Sequence, residues 1–167
     1  DQPRSRGLGD VYKRQAGKYP TRTRALVLAG GEAVLTPEGK DILTERAQMI
    51  RSDGLTAAVD PWLAGVLSAA TRAANPGLAG LLRAMFLAYD DASYAQQCLA
   101  LRDGDVRGDH ARITCPTMLI IGDQDPVTPL SWQQQIAAGI VGSSIRIVAD
   151  TAHMKMPESP AVLNTAL

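Results

Sequence analysis

Three short apolar runs, each cut off by glycine or a turn signal, set the tightest limit on how this chain can fold. Arg24-Ala25-Leu26-Val27-Leu28-Ala29 stops at Gly30-Gly31, Thr117-Met118-Leu119-Ile120-Ile121 stops at Gly122, and Ile145-Arg146-Ile147-Val148-Ala149 follows Gly142-Ser143-Ser144. Continuous rather than alternating apolar runs are the mark of strands covered on both faces, as in a parallel sheet flanked by helices. Between the second and third runs, residues 130–141 carry Trp132, Ile136 and Ile140 at a spacing of four, which predicts a helix. Strand, helix and strand with short connections make a βαβ unit, so the fold class expected is α/β.

The stretch between the first two runs reads as a separate helical layer. Thr36-Pro37 is a capping residue followed by proline at the first helical position, and Gly54 is a helix stop. A weaker helix is expected from Leu55 to Ser68. Asn75-Pro76 repeats the capping signal, after which Leu78, Leu81, Leu82, Met85 and Tyr89 form one apolar face. Asp91 is placed to cap a further helix carrying Tyr94, Cys98 and Leu101, before a connector that holds His110. Helices inserted between sheet strands usually cover the edge of the sheet at which ligands bind.

Composition removes several function classes. The 17 basic and 17 acidic residues balance, which leaves no footprint for nucleic acid or an anionic membrane. There is no apolar run long enough to span a bilayer. Cys98 and Cys115 are unclustered, which fits a reducing cytoplasm better than a disulfide framework. His110 and His153 are the two histidines, and no Cys/His cluster has the spacing of a zinc site. No metal or other cofactor is expected.

Two loops carry groups with chemistry. Ile121-Gly122-Asp123-Gln124-Asp125-Pro126-Val127-Thr128-Pro129 leaves the second strand at the carboxyl edge of the sheet, and Asp150-Thr151-Ala152-His153-Met154-Lys155-Met156-Pro157 leaves the third at the same edge. Taken singly, the two aspartates are ordinary turn and capping residues and His153 a solvated loop residue. Taken together, adjacent strand ends can bring Asp125 to one imidazole nitrogen of His153, leaving the other to take a proton from a nucleophile.

These residues also carry a resemblance. Ile113-Thr114-Cys115-Pro116-Thr117, the Gly122–Pro129 loop, Ala152-His153 and Glu158-Ser159-Pro160 together resemble the last third of an α/β-hydrolase, and residues 19–31 resemble the strand after that family's nucleophile helix. The resemblance implies a partial core at residues 16–32 and 113–167, a helical cap at 33–112, Asp125 as the triad acid and His153 as the base. Asp123 then falls in the role of a loop residue, Asp150 lies too near His153 to orient it, and His110 matches a solvated connector. Within the superfamily, residues 83–88 and 94–106 resemble the cap of 3-oxoadipate enol-lactonases and similar lactonases or esterases. Gly65-Val66-Leu67 departs from the Arg-Trp-Phe those lactonases tend to show. The implied substrate is a small ester or lactone.

No Gly-x-Ser-x-Gly occurs in the 167 residues, so the nucleophile is expected upstream of them. Residues 1–15 resemble a translated sequencing-library adaptor and are set aside as non-native. The alternatives are a non-catalytic relative that uses the fold for binding, another capped esterase, or an independent small α/β binding domain.

Overall fold

The computed structural model describes residues 8–31 and 34–165. In chain order these form helix α1 (Leu8–Lys18), strand β1 (Leu26–Ala29), helices α2 (Pro37–Val66), α3 (Ala69–Ala74), α4 (Pro76–Leu87), α5 (Asp91–Arg102) and α6 (Arg107–His110), strand β2 (Thr117–Gly122), helix α7 (Leu130–Gly139), strand β3 (Ser144–Val148) and helices α8 (Lys155–Glu158) and α9 (Pro160–Asn164). The described residues contain no helix long and apolar enough to cross a membrane. Residues 1–7 of the adaptor-like tail and the core–cap boundary at 32–33 lie outside the described residues, while residues 8–15 form most of α1.

The three strands make one parallel sheet in the order β1-β2-β3, with Leu26 opposite Thr117 and Met118 opposite Ser144. β1 begins at Leu26 rather than at Arg24, because the residue before it would face Pro116, which has no amide to give. β2 is central and its side chains alternate between two clusters. Leu119 packs with Leu26, Leu28, Ile113, Cys115, Ile136 and Ile140 on one face, and Ile120 with Val148 and Leu163 on the other.

The helices between β1 and β2 pack largely on one another, around Ile50, Leu55, Val59, Trp62, Leu82, Phe86, Tyr94 and Cys98. Trp62 stacks on Phe86 with ring centroids 4.5 Å apart, and Phe86 meets Tyr94 edge to face at 5.0 Å. An isolated antiparallel bridge between Val34 and Asp105 joins the chain segments on either side of this layer. Thr36 accepts from the Gly39 amide and Asn75 from the Leu78 amide, as their capping positions require. Gly54, at φ 75°, breaks α2 into two halves, and the Asp91 carboxylate reaches the Leu55 amide at 3.4 Å.

Four local expectations are corrected. The second half of α2 ends at Val66, and Ser68 caps α3 instead. Asp90 caps α5, because Asp91 is turned toward the break in α2. On α4 the buried face runs through Leu82 and Phe86 while Leu81 and Met85 are exposed, since an almost wholly apolar helix offers more than one stripe at helical spacing. His110 is buried rather than solvated, since the short helix α6 lays it against Gly139 of α7.

Candidate active site

Two loops close over the carboxyl edge of β2 and β3. The Asp123 amide donates to Val148 O at 3.0 Å and the Gln124 amide to Thr151 O at 3.0 Å, while the Asp123 side chain accepts from the Thr151 amide at 3.2 Å. A side chain at Gly122 would overlap the Thr151 and Ala152 carbonyls, so glycine is what allows the loops to approach. Asp123 thus braces the loops and is itself exposed. Asp150 sits in a left-handed turn at φ 53°, exposed, with the Gln124 amide group 3.5 Å from its carboxylate.

This bracing brings Asp125 and His153 together. His153 Nδ1 lies 3.0 Å from Asp125 Oδ2 and 3.3 Å from Oδ1. The Asp125 side chain is fully buried, and its Oδ1 also accepts from the amides of Val127 and Thr128, each at 2.9 Å. The Thr128 hydroxyl donates to Oδ2 at 2.9 Å. Burial pushes this carboxyl up, but the hydrogen bond and charge of His153, with those of Lys155, outweigh it and hold Asp125 well below the usual carboxylate range. An ionised carboxylate only accepts, so His153 Nδ1 carries the hydrogen between them and Nε2 is left as an acceptor.

Four neighbours were not singled out from the sequence. Lys155, 1% exposed, donates to Asp125 Oδ2 at 2.8 Å and to His153 O at 3.0 Å. Thr128 completes the shell of the carboxylate. Gly30, at φ 74°, ends β1 against the site; a Cβ there would stand 2.9 Å from Lys155 Nζ and 3.3 Å from His153 Cε1. Glu158 accepts from the Ala152 amide at 2.7 Å and from the Ser68 amide at 2.6 Å, joining the histidine loop to the end of the helical layer. The Met154 amide makes a second such join to Val66 O at 2.8 Å. Gly30 entered the sequence reading only as the end of a strand and Glu158 only as part of the family resemblance, whereas Thr128 lies three residues after an aspartate in a capping turn.

His153 lines a cavity of about 340 Å³ together with the aromatic side chains of Trp62, Phe86, Tyr89 and Tyr94. A roomier surface hollow of about 690 Å³ lies between α1 and α6. Its wall includes the charged side chains Arg14, Lys18, Asp109 and Arg112, with no histidine, so the aromatic cavity beside His153 is the candidate site. Among the described residues no group of three or more His, Cys, Asp or Glu side chains could hold a metal ion.

No family profile matches the chain. It is 33% identical over 129 residues to 3-oxoadipate enol-lactonase 2 of Acinetobacter baylyi, across 73% of this chain and 45% of that protein. Its structure superposes on the enol-lactonase from Burkholderia xenovorans LB400 with a TM-score of 0.87, at 23% identity over 95% of this chain and 60% of that one. For a hydrolase from Pseudomonas aeruginosa PA01 the TM-score is 0.85 at 29% identity, over 95% of this chain and 59% of that one. The chain spans under half the length of the curated relative and about three-fifths of the solved ones. The fold is that of the α/β-hydrolases, in its C-terminal portion: three parallel strands, flanking helices and a helical layer inserted before the central one.

Proposed function

We propose that this chain supplies the acid and base of a serine-type hydrolase that cleaves a small lactone or carboxylic ester, with 3-oxoadipate enol-lactone as the leading substrate. The 3.0 Å pairing of buried Asp125 with His153 Nδ1, whose ring lines an aromatic cavity, carries the reading. The likeness to enol-lactonases supports it. Residues 16–32 and 113–167 form the partial core, residues 33–112 the cap, and the adaptor-like residues 1–15 are foreign to the parent protein. The two buried cysteines, neither in a disulfide, fit a reducing cytoplasm.

In the reaction the nucleophile is a serine supplied from outside these 167 residues. Its hydroxyl proton passes to His153 Nε2 as the oxygen attacks the carbonyl carbon, and Asp125 stabilises the imidazolium that forms. His153 then returns that proton to the departing alkoxide, leaving an acyl-enzyme. Water gives its proton to the same nitrogen as it adds to the acyl carbon, and when the adduct collapses His153 returns that proton to the serine oxygen, which releases the acid and restores the serine. Asp125 stays ionised throughout and keeps the ring in the tautomer whose Nε2 is open. The aromatic wall excludes water and takes the apolar part of the substrate.

The test is to sequence the native locus upstream of Ala16, express the longer protein and measure kcat/KM on small lactones and aryl esters. A Gly-x-Ser-x-Gly is expected within roughly 30 residues of Tyr19, the scale of a βαβ unit. His153→Ala is expected to lower kcat/KM by on the order of 10³-fold or more. A locus without that nucleophile, or full activity in His153→Ala, would sink the reading.

A further inference from the structure

The buried lysine beside the triad acid has no part in the reaction as written above, yet it is among the most enclosed side chains in the molecule. Lys155 is 1% exposed, and an ammonium at that depth is stable only if paired and hydrogen-bonded. Its two acceptors are Asp125 Oδ2 and the main-chain oxygen of His153. One side chain therefore ties the acid's carboxylate to the base's own backbone. It does so on the same oxygen that faces His153 Nδ1 most closely. Gly30 leaves room for this arrangement, since any Cβ there would crowd the lysine nitrogen and the imidazole together.

We propose that Lys155 is a positioning residue for His153: by fixing the orientation and the charge of Asp125 it holds the imidazole in the Nδ1–H tautomer. Two physical effects combine. The ammonium opposes the burial that would otherwise favour a protonated, donor-bearing Asp125, and a neutral acid no longer demands a hydrogen on Nδ1. The link to His153 O also fixes where the loop presents the ring relative to the carboxylate. Without Lys155, Oδ2 keeps two partners, the Thr128 hydroxyl and His153 Nδ1, where it now has three. The proposal rests on reading Asp125 and His153 as acid and base, but its test needs no turnover.

The test is 15N NMR of the imidazole rings in the uniformly labelled 167-residue chain, recorded on the neutral limb of the His153 titration. His110, buried elsewhere, serves as internal reference. The wild type is expected to show one protonated and one bare ring nitrogen for His153, well separated, with a low-field Nδ1 proton. In Lys155→Met the two nitrogen signals should move toward each other and the low-field proton should be lost, whereas Lys155→Arg should keep the wild-type pattern. If Lys155→Met does not fold, Lys155→Gln is judged by the same criteria. A lysine that merely fills space would change the melting temperature and leave the ring pattern intact. An unchanged pattern in the neutral variant, or loss in Lys155→Arg as complete as in Lys155→Met, overturns the proposal. A longer gene product without esterase activity would instead sink the hydrolase reading and leave this result standing.

Discussion

Removing the Glu158 carboxylate should loosen the helical layer from the histidine loop by an amount that can be worked from its contacts. Glu158→Ala takes away the acceptor of two amides, Ser68 at 2.6 Å and Ala152 at 2.7 Å. A hydrogen bond to a charged group contributes about 1.5–3 kcal/mol, so the pair contributes at most about 3–6 kcal/mol. Glu158 is only half-buried, and water can take over part of what is lost. The expected destabilisation is therefore about 2–4 kcal/mol, a drop of roughly 1–2 M in the urea midpoint for a chain of this size. Glu158→Gln should lose about half as much, because one carboxamide oxygen can still serve one amide while its nitrogen faces the other. The Met154 amide keeps its own bond to Val66, so the layer stays docked and its protection from exchange is retained. Urea titration gives the total, and hydrogen exchange at Ser68, Ala152 and Met154 locates it. An unchanged urea midpoint with Ser68 and Ala152 still protected would refute the reasoning.

Three further outcomes follow from the site. Gly30→Ala combines left-handed strain of about 1–2 kcal/mol with a Cβ pressed on Lys155 and His153, so activity of the longer protein should fall more than about tenfold. Gly142→Ala carries the same strain in open space, and its kcat/KM should stay within about twofold of the parent; equal losses in both variants would contradict the steric argument. Asp125→Asn should cripple kcat/KM, whereas Asp123→Asn, which touches only the Thr151 amide, should cost less than about tenfold, and the reverse ranking would displace Asp125 as the acid. The Asp125 carboxyl is lower in the folded chain than unfolded, so its stabilisation is full above about pH 4 and is lost as pH falls through the depressed folded value. The urea midpoint should therefore fall with acidification more steeply in the parent than in Asp125→Asn; parallel curves would contradict this.

The strands were legible because burial on both faces leaves an unbroken apolar run, and the structure moves their ends by only a residue or two at Leu26, Gly122 and Ser144. Gly54 and Asn75-Pro76 were equally clear, since both act on the local backbone. Side-chain choices that depend on a distant partner were not. Asp90 and Asp91 are interchangeable as caps until the break at Leu55 draws one of them away. The stripe on α4 depends on where Trp62 and Tyr94 lie, and His110 on a contact with Gly139, distant in sequence and sharing no pattern with it. In the site, Asp125 and His153 stood out through their loop context, while Lys155 drew no reading of its own and Glu158 entered only among the residues that carry the family resemblance. A charged residue in a polar loop gives no sign of being buried until the strand ends converge.

The bond from the Met154 amide to Val66 O has a consequence for how such proteins can diverge. It is made wholly of main-chain atoms, so every residue except proline supplies the same donor at position 154 and every residue supplies the acceptor at 66. Mutation can rewrite both side chains, and at position 154 part of the wall of the cavity beside His153, without severing the helical layer from the His153 loop. Side chains around the cavity are thereby free to change while the attachment of the helical layer to the loop is inherited through the shape of the backbone.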